Sequence, residues 1–349
     1  VYGTTTRDEL HTMLVTNGAS HSNGAIVVHE AAGTQGWTDI GISNYSSFGF
    51  GGRLTEMVLY NTDQSANREN IEKDMALHSG AYQVEDAPLL DAYGGAHAAY
   101  SLRKLNSDYT GYAARVSRDS DNTEMDVGFD ADGNFDKASV DATFYDNTNI
   151  RLKTWYDQSG NGNDMTQSTV GQRPLVYNNV GALKVDGRVG PRFVKVDDAG
   201  DNFTFDPTGL DIGNLSTFAV LKAVGDLSPI ARVIQLSAGA TTRWYAPVIT
   251  GGYFQYNAGD STNITITADN SNNLHTLISG ATQGDVEAFF NGVSKGTKSL
   301  PSGIGSVGYI GGYGVDWFNG HVHELIVYSS DQSGRREGIE RNISNYYDL

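Results

Sequence analysis

Cysteine is absent from this 349-residue chain. Its absence removes disulfides, thiol nucleophiles and thiolate metal sites together. The compartment stays open, because many bacterial and viral surface proteins manage without disulfides, whereas small secreted domains usually depend on them. Positive charge is scarce: 24 Lys and Arg stand against 41 Asp and Glu, a formal net charge of -17. Such a field repels phosphate backbones and anionic membrane surfaces, so neither nucleic-acid binding nor membrane insertion is expected. No apolar run approaches the ~18 residues needed to span a bilayer. The opening VYGTTTRDEL lacks the pattern of a signal peptide.

What the chain does have is turn chemistry. Gly occurs 42 times and Tyr 19 times, and 39% of residues are hydrophobic, enough to bury a core. Short Thr/Val/Tyr runs between Gly/Asn/Asp/Ser clusters predict an all-β protein with many turns. Strands are expected around Ala113–Val116, Leu152–Tyr156, Phe218–Lys222, Val233–Leu236, Ile264–Thr267, His275–Ile278, Glu287–Phe290 and Gly308–Ile310. Asn291-Gly292 between apolar runs predicts a hairpin turn. Ala92–Leu105 has a helical stripe in Ala98, Leu102 and Leu105.

An internal repeat organises the chain. Phe50–Met75 (FGGRLTEMVLYNTDQSANRENIEKDM) aligns without gaps to Phe318–Ile343 (FNGHVHELIVYSSDQSGRREGIERNI), identical at 11 of 26 positions. Each copy reads strand, turn, helix. Asp331 or Ser333 is a candidate helix cap, and Ile339, Ile343 and Tyr346 share one helix face. The recurrence of Glu56 and Glu324 points to a structural acceptor for the helix arginines Arg68 and Arg336. Only the second copy has a long lead-in. Residues 1–80 are therefore expected to be the C-terminal half of a β-sandwich, 81–90 a linker, and 91–349 a complete sandwich.

Three further strings carry candidate chemistry. WYDQSGNGND offers Trp155 or Tyr156 as a stacking ring for a sugar, with Asp157, Asn161 and Asn163 to bind its hydroxyls. The same string also reads as a structural turn, with Gly160 and Gly162 supplying positive φ, and this reading is preferred. Asp130, Asp132, Asn134 and Asp136 have calcium-loop spacing, although position twelve is Asp141 rather than Glu. An exposed acidic hairpin is the competing reading. Calcium is the one cofactor raised. Arg115, Arg118, Asp119, Asp121, Glu124 and Asp126 read as interlocking ion pairs, and His321-x-His323 as two rings on one side of a strand.

DAYGGAHAAYSLRKL (Asp91–Leu105), YTGYAARVSRDSDNTEMDVGFDADG (Tyr109–Gly133) and TWYDQSGNGNDMTQ (Thr154–Gln167) together resemble the catalytic-domain family of α-L-arabinofuranosidase B. The strand-DQS-helix ending resembles laminin-G-like domains of phages and marine bacteria. The resemblance implies tandem antiparallel β-sandwiches of the jelly-roll, laminin-G/concanavalin-like kind with a few short helices. It also implies a retaining glycosidase centre, which needs two carboxylates roughly 5 Å apart. In that family a catalytic Asp follows an Ile-Gly-Gly strand end. Here Ile310-Gly311-Gly312 is followed by Tyr313, leaving Asp316 as the nearby substitute, and Thr241–Gly252 holds no Glu for a nucleophile. On these departures the reading is a non-enzymatic structural or adhesive module: a phage tail-fibre, head-fibre or decoration protein. It would sit on the virion surface or outside the cell, pair with other virion or surface-protein subunits as a homo-oligomer, and bind a cell-surface glycan. The alternatives are an arabinofuranosidase-like hydrolase and a bacterial lectin-like adhesin.

Overall fold

In a β-strand successive side chains alternate between faces, so a strand apolar on both faces must be covered on both. The run Gly320–Tyr328 is such a strand, with all nine residues buried, and it is an inner strand of the main sheet. The computed structural model describes residues 87–349 except 197–198, 211–212, 225–232, 236–252, 257–263, 268–270, 280–284, 300–306 and 314–315. The chain divides into two units, Val1–Asp86 and Ala87–Leu349. The first repeat copy and the half-sandwich expected over residues 1–80 lie outside the described residues, as does the run Thr241–Gly252.

Among its described residues the second unit is antiparallel β, with short helices at Leu89–Ala92, Lys137–Thr143 and Arg336–Tyr347. One continuous sheet dominates. From one edge its order is Ile234–Gln235, Gly308–Ile310, Phe203–Phe205, Met165–Thr166, Ile150–Trp155, Leu175–Asn178, Arg192–Phe193 and Gly320–Tyr328. It continues through Ser216–Ala223, Asn273–Ser279, Asp285–Phe290 and Val293–Ser299. Ala114–Arg118 and Glu124–Val127 branch from Ile150–Trp155, and Ala98–Ser101 pairs with Gly320–Tyr328. Ile234 and Ile310 from one end share a single core cluster with Val286 and Ala288 from the other. The sheet therefore folds back on itself into two layers, as a β-sandwich does. Asn291 (φ 48) and Gly292 (φ 77) form the expected hairpin turn between the last two strands. No helix among the described residues is long and apolar enough to cross a membrane.

The segment Ala92–Leu105 departs from its helical pattern. The helix there stops at Ala92, and Ala98–Ser101 is a fully buried strand. Gly95 at φ 85 breaks the helical path, and pairing with Gly320–Tyr328 satisfies the backbone groups of the strand. Tertiary pairing here overrides a weak local preference.

The outer face of Gly320–Tyr328 is covered by the helix Arg336–Tyr347. Ile339, Ile343 and Tyr347 are buried, and each apolar side chain so placed contributes roughly 1.5–3 kcal/mol relative to exposure. Neither predicted cap starts this helix. Asp331 accepts from Ser333 N–H within its own turn, two residues short of the N-cap Arg335, which makes no side-chain cap bond. A β-bulge sets the phase of the strand. Val220 pairs with Glu324 and Leu221 with Val322, so His323 is skipped. Val322, Leu325 and Val327 consequently face the core, while His321 and His323 stack on the other side, rings 5.5 Å apart. Glu324 follows them outward and meets Arg103 rather than the expected Arg336, which pairs instead with Glu340 on its own helix.

Candidate active site

The string WYDQSGNGND closes on itself. Trp155 ends the strand Ile150–Trp155 fully buried, packed 6.0 Å from the Tyr100 ring. It has no face to offer a sugar. Asp157 is buried and accepts from three backbone N–H groups: Ala99 (2.8 Å), Ser159 (2.9 Å) and Asn163 (3.0 Å). Asn161 and Asn163 both donate to the carbonyl of His97, and Asn161 also to that of Ala96. Gly160 and Gly162 take φ values of 90 and 76, which only glycine adopts freely. Gln158, unremarked in the sequence, is fully buried. Its side chain accepts from Leu105 N–H and donates to the carbonyls of Ser101 and Arg103. The string is thus a clamp that fastens the strand Ala98–Ser101. Of its aromatic pair only Tyr156 reaches the outer face, where its hydroxyl donates to Asp126 at 2.7 Å. Burial, then that bond, push its pKa up.

The acidic turn and the charge cluster are likewise internally paired. Asp130 accepts from the N–H groups of Asp132 and Asn134, and Asn134 Oδ1 accepts from the Tyr346 hydroxyl. Asp136 caps the helix Lys137–Thr143 by accepting from Ser139 N–H. Among the described residues no three His, Asp or Glu side chains group to hold a metal. Arg118 pairs with Asp121, Arg151 with Asp119, and Arg115 with Glu124 and Asp126.

At the far edge of the sheet, Gly308–Ile310 leads into Gly312–Tyr313, which pairs with Asp316–Trp317 so that Tyr313 stands opposite Asp316. Asp316 thus enters the strand-end neighbourhood through its backbone. A residue that the sequence does not distinguish lies beside Gly311 of this strand end. Asp201 precedes the strand Phe203–Phe205, whose Phe203 pairs with Ile310. A Cβ on Gly311 would lie 2.5 Å from the carbonyl oxygen of Asp201. The Asp201 side chain is buried, accepts from Val194 N–H at 2.8 Å, and lies 3.9 Å from Arg151 Nη1. Burial pushes its pKa up to about 7, outweighing the Val194 bond and the arginines. Nothing in the local string DDAGDNF marks Asp201 out from its neighbours, since its burial is produced by strands remote in sequence.

Residues 82–184 match the family model described as α-L-arabinofuranosidase B, catalytic. The α-L-arabinofuranosidase B of Emericella nidulans is 41% identical over 75 residues, 21% of this chain and 15% of the relative. That of Aspergillus kawachii is 33% identical over 90 residues, 26% of this chain and 17% of the relative. The matched stretch therefore spans about a sixth of these relatives. Among solved structures, an α-L-arabinofuranosidase mutant soaked with 4-nitrophenyl α-L-arabinofuranoside superposes with a TM-score of 0.58 at 17% identity. It covers 74% of this chain and 64% of that one. An arabinofuranosidase complexed with arabinofuranosyl-α-1,2-xylobiose gives 0.51 at 16% identity, covering 75% and 65%. At such identity the likeness shows a shared fold. These matches overturn the reading of a non-enzymatic phage or virion module. The relatives are named as glycoside-cleaving enzymes, and nothing found connects the chain to tail fibres, head fibres or capsid decoration. Departures at single motif positions, such as Tyr313 after Ile310-Gly311-Gly312, say little about a site assembled from several strands.

Proposed function

We propose that the unit Ala87–Leu349 is a glycoside hydrolase of the α-L-arabinofuranosidase kind, acting on terminal arabinofuranosyl groups. The observation that carries this reading is the family match over residues 82–184, which includes the whole clamp that fixes the strand Ala98–Ser101. Retaining cleavage needs one carboxylate to attack the anomeric carbon. A carboxylic acid protonates the departing glycosidic oxygen and then takes a proton from the water that releases the sugar. We assign the proton transfers to Asp316, which stands at the strand end where the resemblance places a catalytic acid. Asp201, fastening the hairpin 194–201 beside Gly311, is assigned to positioning that strand end. The substrate is a polymer branch that cannot cross a membrane, so the reading also places the protein outside the cell.

The test is release of 4-nitrophenol from 4-nitrophenyl α-L-arabinofuranoside by the full chain. Turnover is expected, and Asp316→Asn should lower kcat by roughly 10²–10⁴-fold, the usual contribution of a positioned acid or base. No release by the unaltered chain, or full activity in Asp316→Asn, overturns the respective assignment.

A further inference from the structure

Paired residues of neighbouring antiparallel strands project on the same face of a sheet. Five registers join end to end across this one. Asp126 pairs with Arg115, Arg115 with Thr154, Thr154 with Thr166, Thr166 with Thr204, and Thr204 with Tyr309. The hydroxyls of Thr154 and Thr166 confirm the shared face, standing 3.5 Å apart. The flanking residues Trp155, Met165, Phe203 and Ile310 all point the other way, into the core. Thr166 and Thr204 are exposed. At the ~4.8 Å spacing of adjacent strands, the stretch from Arg115 to Tyr309 runs for about 19 Å. At the Arg115 end Tyr156 shares the face through its bond to Asp126. Beside it lies Tyr112, which is 52% exposed, its ring 6.4 Å from that of Tyr156.

We infer that this row is a binding track for an extended neutral polysaccharide, the backbone that carries the arabinofuranosyl branches. The inference deepens the proposed function and rests on it for the identity of the branch. The chemistry of the row selects the occupant. A hydroxyl both donates and accepts, so the exposed Thr166 and Thr204, with the buried Thr154 standing behind Thr166, match sugar hydroxyls. Tyrosine rings supply flat apolar surface with a polar tip, which suits the face of a sugar. The lone cation of the row, Arg115, faces Asp126 and Glu124, both at 3.5 Å, and Lys153 pairs with Glu124 at 2.6 Å, so these charges balance within a chain of net charge -17. A polyanion is repelled there. The threonine centre also lacks the apolar anchors that a protein partner would bury. The track runs from the tyrosine pair towards the strand Gly308–Ile310, whose continuation leads to Asp316.

The test is binding of soluble arabinoxylan to the full chain by affinity electrophoresis. Tyr112→Ala and Thr204→Arg should each weaken retardation about tenfold, the order expected for losing one stacking face or blocking one contact. Val180→Arg, a substitution at a turn outside the row and 85% exposed, should leave it unchanged. Thr204→Val keeps the β-branched shape and removes only the hydroxyl. It should still weaken binding, which guards against a misfolded Thr204→Arg. No binding by the unaltered chain, or equal binding by Tyr112→Ala and both Thr204 variants, overturns the track. Binding without release of 4-nitrophenol overturns the hydrolase reading instead and leaves the track standing.

Discussion

Arg103 and Glu324 form a two-pronged ion pair in the interior, with Nε to Oε2 at 2.7 Å and Nη2 to Oε1 at 2.8 Å. The side chains are 7% and 0% exposed. Two charges so far from water are tolerable only because the fork of the guanidinium matches the carboxylate and the Tyr347 hydroxyl supplies a further bond at 3.2 Å. Arg103 also lies over the Tyr346 ring, its central carbon 4.5 Å from the centroid. The pair therefore ties the segment that follows the strand Ala98–Ser101, the central strand and the C-terminal helix to one another. Glu324→Gln leaves Arg103 buried without a counter-charge, and it should destabilise the fold by about 3–5 kcal/mol. Urea denaturation reads this directly. A change within about 0.5 kcal/mol, as surface sites give, would show that the pair is dispensable.

The stacked histidines set an acid limit. Burial, then the nearby Arg192, hold His321 down at about 4, and burial with its stacked neighbour holds His323 at about 3. Gly190 offers a carbonyl to His321, Tyr347 packs against His323, and Arg188, Arg192 and Lys222 contribute only positive charge. Both folded-state values lie below the ordinary 6.5. The stability they contribute is therefore present above pH 6.5 and lost as pH falls through about 4 and 3. The melting temperature should fall across that window, and His323→Phe should flatten the fall. An unchanged slope in that variant would rule out the pair as its source.

Asp201 acts in the opposite sense. Its folded-state value of about 7 lies above the ordinary 3.8, so its contribution is complete below pH 3.8 and lost as pH rises through 7. Asp201→Asn keeps an acceptor for Val194 N–H and never ionises. The variant should be the more stable protein at pH 8 and lose that advantage near pH 4. Melting curves at the two pH values make the comparison, and equal midpoints at pH 8 would show that the carboxylate carries no burial penalty.

The clamp predicts a stability loss where a sugar platform predicts none. Asp157→Ala removes the acceptor of three backbone N–H groups, that of Ala99 buried and those of Ser159 and Asn163 half-buried, at up to about 1–3 kcal/mol each. The expected result is a fall of several kcal/mol, and failure of Ala98–Ser101 to hold its place, visible as fast amide exchange at Ala99. Native stability with lost glycan affinity would restore the platform reading.

Gly311 fixes the strand end. Its φ is 89, and a Cβ would overlap the Phe193 ring and crowd the carbonyl of Asp201. Gly311→Ala combines backbone strain with overpacking, together about 2–4 kcal/mol. It should lower both thermal stability and turnover of the aryl arabinofuranoside. Turnover unchanged in this variant would place the reaction elsewhere on the molecule.

Much of the architecture was legible without coordinates. Alternation located the strands at Ile264–Thr267 and Gly308–Ile310 to the residue, because successive residues of a strand point to opposite faces and write a period of two into the chain. Asn291-Gly292 specified its own turn, since both residues tolerate positive φ. Ala92–Leu105 misled because alanine-rich strings satisfy a helical stripe as readily as a buried strand, and only the central strand, more than 200 residues away, decides between them. Trp155 misled for a related reason. Tryptophan is as apt to fill a core as to stack on a sugar, and burial depends on what folds over it.

The sequence by itself determined an antiparallel β protein, its punctuation and its kinship to arabinofuranosidases over Asp91–Gln167, because turn residues and period-two patterns act on near neighbours. Tertiary structure alone decided that Glu324 faces Arg103 rather than Arg336, that Asp157 clamps a strand, and that six polar residues from six different strands stand in one row. Those outcomes depend on register and on a single bulge at His323. Shifting a strand by one residue exchanges its two faces, and nothing local in the chain records which shift the packed core selects.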